Sequence, residues 1–126
     1  MSLKFHEMTI DSYLSALGPT APAPGGGAAA GLIGTHACAL GETVSRLSSS
    51  GKNTDDFREK AEQYVAVFES ARSIFLDLMD EDAKNFHELM ALLQSPRDPA
   101  DTKRKENLEA AFKKSAEAPY QMADAM

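Results

Sequence analysis

Residues 22–27, which read Pro-Ala-Pro-Gly-Gly-Gly, and the small-residue run 28–41 that follows them constrain the fold more than any other part of the chain. Two prolines restrict the backbone at the start of this segment, and three glycines then free it. The small residues recur at helical spacing, with Gly31 and Gly34 among them, which predicts a helix that continues to about Ser48. Because glycine costs about 1 kcal/mol relative to alanine inside a helix, we expect this helix to lie against other helices at close backbone range.

The beginning of this helix has two interpretations. Its first backbone N–H groups have no partner within the helix, and such groups suit an anion or a polar heterocycle, so the segment is a ligand-binding loop. Alternatively, it is a hinge that leads into a tightly packed central helix. It is not a phosphate-binding P-loop, because no Gly-Lys-Ser/Thr sequence follows. It is not a dinucleotide-binding fingerprint either, because no strand precedes it.

The composition excludes several classes of function. The chain has 126 residues and a formal net charge of −6, so we expect one domain and no binding to nucleic acid or to anionic membrane surfaces. The single cysteine, Cys38, is expected to be buried, and it leaves no partner for a disulfide within the chain. The three histidines lack metal-ligand spacing, so no metal site is predicted. We find no signal peptide and no apolar run long enough to span a bilayer, which predicts a cytoplasmic protein.

Helical periodicity extends over most of the chain. A first helix is predicted over 10–17, with Thr9 as its N-cap. After a polar break, a long helical pattern runs from a cap at Thr54 or Asp55 to about Leu93. Its apolar positions alternate spacings of four and three, which is typical of the seam of a helical bundle. They are Phe57, Ala61, Tyr64, Phe68, Ala71, Phe75 and Leu78.

A last helix is predicted from Asp101 or Thr102, and Pro119 is expected to kink or break it. Arg104 and the lysines beside it are expected to form ion pairs on the helix surface. One face of this helix carries Leu108, Phe112, Ser115 and Met122. The predicted fold is therefore all-α, a helical bundle with a long central helix and a closely packed Gly/Ala-rich helix. Because the last helical pattern is still running at Met126, we expect a chain truncated at its C-terminus, with further helices or a second subunit covering that face.

The next seam position after Leu78 is Asp82, a carboxylate where the pattern expects an apolar residue. Such a carboxylate is costly unless it is satisfied, and burial raises its pKa. Asp82 is therefore a candidate general acid or base, and Phe86, one turn later, is a candidate apolar wall beside it. Alternatively, residues 80–82 form the acidic first turn of a new helix, with Asp80 as its cap and Asp82 in solvent.

Three segments of the chain fit one known pattern. They are the Pro-x-Pro-Gly-Gly-Gly segment with its small-residue helix, the Asp-Ala-x-x-Phe element that begins at Asp82, and residues 115–119. Arg104 and Pro119 fit an Arg…Pro pattern in the last helix. Together these segments resemble the cyclodeaminase/cyclohydrolase family, which occurs as the C-terminal domain of formiminotransferase-cyclodeaminase and as separate bacterial proteins. The resemblance covers nearly the whole chain.

The resemblance implies one all-helical domain over 1–126 that forms a homodimer through its helices and acts on one-carbon derivatives of tetrahydrofolate. The cyclodeaminase, a lyase, closes formimino-tetrahydrofolate to methenyl-tetrahydrofolate and releases ammonia. The cyclohydrolase, a hydrolase, opens methenyl-tetrahydrofolate to formyl-tetrahydrofolate with water. Neither needs a metal or a redox cofactor, because the folate is the substrate. Asp82 is then the catalytic residue that shuttles the proton. The substrate-binding residues implied are Pro24, Gly25, Gly26, Gly27, Lys52, which attracts the glutamate tail, and Phe86, which walls the pteridine ring.

Two departures from the family pattern support a second hypothesis. Family members often carry serine where this chain has Ala28, which removes a hydroxyl near the ligand, and a Gly-Asn…Ser-Asp stretch of the family's C-terminal helices has no counterpart here. Both favour a non-catalytic helical module that binds folate or serves oligomerisation. The intact glycine segment and the element from Asp82 to Phe86 favour the enzyme. The sequence does not distinguish ammonia release from water addition, because both use the same kind of proton shuttle.

Overall fold

The computed structural model describes residues 4–126 and is all-α over that range. A short 3-10 turn, Phe5–Glu7, precedes four helices, which are α1 (Ile10–Leu17), α2 (Gly26–Ser50), α3 (Asp55–Gln94) and α4 (Arg104–Ala125). The longest is α3 with 40 residues, and α2, α4 and the 3-10 turn all pack against it. The predicted all-α class and the long central helix are thus confirmed. The single domain over 1–126 and the homodimer stay predictions, and residues 1–3 lie outside the described range.

The short helix α1 has the predicted bounds and the predicted cap. The Thr9 hydroxyl oxygen accepts the backbone N–H of Ser12 at 3.2 Å, which satisfies one of the free donors at the helix start. Only Tyr13 is buried on this helix, whereas Ile10 and Leu14 are largely exposed. α1 therefore joins the core through the buried Tyr13 and the partly buried Leu17, which packs against the same cluster.

Glycines allow α2 to approach α3 closely. A Cβ on Gly31 would lie 3.2 Å from the carbonyl oxygen of Phe75, and a Cβ on Gly41 would lie 2.6 Å from the ring of Phe68. Separations this short leave no space for a side chain in a close-packed interior. The predicted packing of the small-residue helix is confirmed, as is the burial of Cys38 on the same helix.

Two apolar clusters form the core, and α3 contributes to both. The first also draws on α1, α2 and the 3-10 turn, and it consists of Phe5, Tyr13, Ala28, Met79 and Ala83. The second also draws on α2 and α4, and it consists of Cys38, Phe75, Leu78, Ala118 and Met122. Residue 82 is therefore the immediate neighbour of a core residue of the first cluster.

α3 runs without interruption through residues 80–82, so the alternative in which a new helix starts at Asp80 is wrong. The Asp80 carboxylate instead accepts the backbone N–H of Phe5 at 2.8 Å and lies 2.6 Å from Nδ1 of His6. These contacts hold the 3-10 turn against the middle of α3.

The seam predicted along α3 is only partly buried. Ala61, Phe75 and Leu78 are buried, but Phe57 is 50% exposed and Tyr64 is 59% exposed. The predicted seam is therefore wrong at Phe57 and Tyr64. Spacing shows which face of a helix is apolar, but it carries no information about what covers that face.

The start of α4 differs from the prediction, because the helix begins at Arg104 rather than at Asp101 or Thr102. The side chain of Asp101 accepts the N–H of Lys103 at 3.1 Å, and Asp98 accepts the N–H of Ala100 at 2.9 Å. Aspartates that bond to the backbone two residues later form turns that compete with a helix. The helix therefore starts after the second of these turns.

Arg104 caps α3 instead of forming the predicted ion pair. Its guanidinium donates hydrogen bonds to the Ser95 hydroxyl at 2.7 Å and to the Leu92 carbonyl oxygen at 3.1 Å. Both acceptors lie at the C-terminal end of α3, where carbonyl groups lack helical donors. The prediction of an ion pair at Arg104 is wrong, because no carboxylate within residues 4–126 pairs with it.

α4 continues through Pro119, so the predicted break does not occur. Ala118 is only 1% exposed and Met122 only 3%, and both belong to the second core cluster. This packing holds the helix together across the single hydrogen bond that the proline removes.

Several large apolar side chains of α2 and α3 remain exposed, namely Ile33, Leu40, Val44, Leu47, Val67 and Ile74. Exposed apolar faces of this kind are often covered by other protein elements. Cover by further helices or by a second subunit stays a prediction. None of the helices within residues 4–126 is both long and apolar enough to cross a membrane.

Candidate functional site

The first turn of α2 presents backbone hydrogen-bond donors. The helix begins after Gly25, and its first helical hydrogen bond joins the N–H of Ala29 to the Gly25 carbonyl oxygen at 3.0 Å. The N–H groups of Gly26, Gly27 and Ala28 precede this bond and have no acceptor within the helix. Gly25 has no side chain that could cap them. They are thus available to groups outside α2, and the positive end of the helix dipole favours an electron-rich partner.

The carboxylate of Asp82, on α3, lies near one of these donors, the backbone N–H of Ala28. Burial raises the pKa of Asp82, and the nearby N–H of Ala28, which lowers it, offsets that effect only in part. A half-buried carboxyl group with a raised pKa can bind and release a proton closer to neutral pH than an ordinary aspartate.

Gly27 provides the space that the Asp82 carboxylate occupies. A Cβ placed on Gly27 would overlap both carboxylate oxygens, whereas a Cβ on Gly26 would meet nothing within 4 Å. The requirement for glycine at position 27 is therefore steric and is set by one side chain of α3.

A cavity of about 250 Å³ opens beside Asp82. Residues of the 22–27 segment, of α3 and of α4 line it, and we call it the Asp82 cavity. Its lining consists of Pro22, Ala23, Gly25, Gly26, Gly27, Asp82, Ala83, Phe86, Ser115 and Pro119. Sites that enclose a whole drug-sized ligand span roughly 300–1,000 Å³. A volume of this size accommodates one ring system, with the rest of a larger ligand outside.

The structure brings together five of the seven residues implied by the resemblance. Gly25, Gly26, Gly27 and Phe86 line the same cavity as Asp82. Pro24 is buried and does not line it. Lys52 does not line it either, since it is exposed in the turn between α2 and α3. The roles of all seven in binding or catalysis stay predictions.

Ser115 and Pro119 are lining residues that were not among the predicted site residues. They lie one helical turn apart on α4. A proline in the interior of a helix is unfavourable, and its presence there was the sequence signal for a special position. From the sequence alone, that signal predicts a kink or break of the helix, whereas in the structure the residue lines the cavity.

Tyr13 lies beside the site without lining it. Its ring packs in the first core cluster together with Ala28 and Ala83. Its hydroxyl is buried and has no hydrogen-bond partner among the described residues. Burial, and secondarily the negative charge of Asp82, raises the pKa of the phenol. Tyr13 therefore stays neutral at physiological pH and contributes to the apolar surroundings of the carboxylate.

A second cavity, of about 360 Å³, lies elsewhere on α3. It is lined by Lys4, His6, Asp77, Asp80, Glu81, Lys84, Asn85 and Lys114. Its charges of both signs do not favour one class of ligand. Within residues 4–126 no group of three or more histidine, cysteine or acidic side chains is placed to hold a metal ion.

The sequence of residues 9–126 matches the family described as Formiminotransferase-cyclodeaminase. The chain belongs to this family. The family predicted from the three motifs is thus confirmed.

Two similar proteins carry more specific names within the formiminotransferase-cyclodeaminase family. The chain is 26% identical over 113 residues to the methenyltetrahydrofolate cyclohydrolase of Methylorubrum extorquens, with 88% of this chain and 54% of that protein covered. The crystal structure of formiminotetrahydrofolate cyclodeaminase from Thermotoga maritima superposes with a TM-score of 0.82 at 26% identity, over 95% of this chain and 57% of that one. The chain therefore spans little more than half the length of either protein.

Ala28, the position where the family often has serine, is completely buried. Its methyl group belongs to the first core cluster and does not line the Asp82 cavity. Its contribution to the site is the backbone N–H, which lies near Asp82 and lowers its pKa. The substitution therefore leaves the lining of the cavity unchanged.

Proposed function

We propose that this chain is part of an enzyme of folate one-carbon metabolism, of the cyclodeaminase or cyclohydrolase type, and that Asp82 carries the proton. One observation supports this proposal most directly. The carboxylate of Asp82, whose pKa is raised by burial, lies in a cavity beside the backbone donors of Gly26 and Gly27 and the ring of Phe86. The family match and the names of the two relatives supply the substrate class.

The arrangement suits both reactions of this type. In ring closure, N10 of formimino-tetrahydrofolate attacks the carbon of the formimino group, whose nitrogen is protonated as =NH2+. Asp82 takes the proton from N10 and passes it to that nitrogen, and the C–N bond then breaks to release ammonia and leave the methenyl cation. In ring opening, Asp82 takes one proton from the attacking water and passes it to the ring nitrogen as the C–N bond breaks, while the remaining hydroxyl proton is lost to solvent as the formyl C=O forms. Each reaction needs one group that alternates between carboxylate and carboxylic acid. The ring of Phe86 provides an apolar surface for the pteridine, and the donors of α2 bind an acceptor on it.

A second candidate is a folate-binding or oligomerisation module without catalysis. The argument from Ala28 does not support it, because that side chain faces the core rather than the cavity. We therefore give precedence to the enzyme.

The test uses the near-ultraviolet absorption of methenyl-tetrahydrofolate, which its open forms lack. The protein is supplied with methenyl-tetrahydrofolate and, separately, with formimino-tetrahydrofolate. Loss of the band from the first substrate identifies a cyclohydrolase, and its appearance from the second identifies a cyclodeaminase. Folate binding without either change would support the module instead.

Asp82→Asn is the decisive variant in this assay, because it keeps the shape of the side chain and removes the exchangeable proton. We expect turnover to fall by about 100- to 10,000-fold, which is the usual contribution of a general acid or base. Glu81→Gln is the matched control, since Glu81 is the neighbouring acid on α3 and does not line the Asp82 cavity. Unchanged turnover in Asp82→Asn would overturn the role of Asp82.

A further inference from the structure

Pro119 leaves one backbone carbonyl of α4 without its helical donor. Proline has no N–H group, so the carbonyl oxygen of Ser115, four residues earlier, receives no helical hydrogen bond. The side-chain hydrogen bonds within residues 4–126 do not compensate. Asn85 donates to the adjacent carbonyl of Lys114 at 3.2 Å, not to that of Ser115.

Packing does not account for the proline. Pro119 is exposed, and the side chains that anchor this part of α4 are Ala118 and Met122 on either side of it. The helix runs through position 119 despite the unfavourable residue. Both Pro119 and Ser115 line the Asp82 cavity. The carbonyl that Pro119 deprives of its i+4 donor therefore belongs to a residue of the cavity wall.

The polar groups of the cavity now form a definite pattern. Among the lining residues, Asp82 and the Ser115 carbonyl are acceptors, the N–H groups of Gly26 and Gly27 are donors, and the Ser115 hydroxyl can act as either. A reduced pterin ring carries several N–H groups and one carbonyl oxygen along its edge, which matches two acceptors combined with backbone donors. We propose that the Ser115 carbonyl, which Pro119 keeps free, accepts a hydrogen bond from an N–H group of the pterin and so orients the ring against Asp82. This inference rests on the proposed function.

Pro119→Ala tests the inference, because alanine at position 119 supplies the missing N–H. This N–H can then donate the helical hydrogen bond to the Ser115 carbonyl oxygen. We expect the melting temperature to rise, since a proline is removed from a helix interior. We expect the affinity for tetrahydrofolate, measured by calorimetry under anaerobic conditions, to fall about tenfold, as one N–H of the ligand loses its acceptor. Pro99→Ala is the matched control, because Pro99 is exposed in the connection between α3 and α4 and lies away from the cavity.

A second variant separates the carbonyl from the shape of the proline ring. Lactic acid, the hydroxy analogue of alanine, can be introduced at position 119 by nonsense suppression and again provides no N–H. We expect it to restore the affinity that Pro119→Ala loses. Equal affinity of the wild type and Pro119→Ala would overturn the inference, and so would failure of the lactic acid variant to restore binding. Absence of tetrahydrofolate binding by the wild type would instead overturn the proposed function, and this inference with it.

Discussion

The carboxylate of Asp82 occupies the position that a side chain on Gly27 would need, and the two residues face each other across the contact of α2 and α3. Gly27 thus leaves the space in which the carboxylate lies, and the backbone N–H of Ala28, the next residue, lies near it and lowers its pKa. Two consecutive residues at the start of α2 therefore position one acidic group of α3. This relationship leads to a direct mutational test.

Gly27→Ala should displace the carboxylate without unfolding the protein. The group that must move is the end of one side chain, so we expect the free energy of unfolding to change by no more than about 1 kcal/mol. A displacement of about 1 Å can cost about 100-fold in rate, so we expect turnover to fall by about that factor. Gly26→Ala is the comparison, because its Cβ meets no atom within 4 Å. Equal losses in both variants would contradict the steric role of Gly27. The measurements are urea unfolding and the near-ultraviolet assay.

The pH dependence of turnover should report the raised pKa of Asp82. Both proposed reactions begin with the ionised carboxylate, so kcat/KM should decrease as the pH falls through this pKa. Because burial raises the pKa above the ordinary value of 3.8, we expect the acid limb of the profile to lie above pH 3.8. A profile that stays flat down to pH 3.8 would argue against Asp82 as the proton acceptor.

The stability of the fold should depend on the protonation of the same group. A carboxyl group whose pKa is higher in the folded than in the unfolded state stabilises the fold when protonated. This contribution is fully present below the unfolded pKa and is lost as the pH rises through the folded pKa. We therefore expect the wild type to lose stability relative to Asp82→Asn as the pH rises from below 3.8. Urea unfolding of both proteins across this range is the measurement, and a constant difference would show that the pKa of Asp82 is the same in both states.

Tyr13→Phe should stabilise the protein. The hydroxyl of Tyr13 is buried without a partner, and burying an unsatisfied polar group costs about 1–3 kcal/mol. We expect the variant to gain about 1 kcal/mol in the free energy of unfolding, with turnover retained because the hydroxyl does not line the Asp82 cavity. A loss of stability would mean that the hydroxyl has a partner, such as a buried water molecule.

Arg104→Ala should weaken the junction between α3 and α4. The guanidinium bonds to Ser95 and Leu92 at the end of α3, and hydrogen bonds of charged groups contribute about 1.5–3 kcal/mol. We expect a loss of about 2 kcal/mol in the free energy of unfolding. Lys105→Ala is the control, since Lys105 is exposed and surface substitutions usually stay within about 0.5 kcal/mol. A similar small effect of both variants would show that the cap contributes little.

The elements that the sequence predicted well are those governed by local chemistry. The helix Ile10–Leu17 and its Thr9 cap follow from the preferences of a few adjacent residues. The close approach of α2 to α3 follows from the helical spacing of its glycines. Where two local interpretations were equally good, as for residues 80–82, the choice depended on tertiary packing, and the contact of Asp80 with the N-terminal turn decided it.

The errors concern contacts between distant residues. The spacing of apolar residues places Phe57 on a seam, but it does not show whether another element covers that side chain. Among the described residues, none buries Phe57. Pro119 was expected to break or kink α4 because local propensity opposes proline there, but burial of Ala118 and Met122 maintains the helix. Asp82 itself was identified because a carboxylate interrupted an apolar pattern. Its proximity to the backbone N–H of Ala28, more than fifty residues away, has no signal in that pattern.

The position of Asp82 well inside a 40-residue helix has a consequence for engineering. The acidic group belongs to a continuous helical scaffold, whereas Pro22 and Ala23 of the same cavity belong to the connection between α1 and α2. Residues 19–23 of that connection can therefore be lengthened or exchanged without changing the register of α3. A library confined to these positions would alter which ring system enters while the acid stays where it is, which makes this short connection the natural place to redesign selectivity.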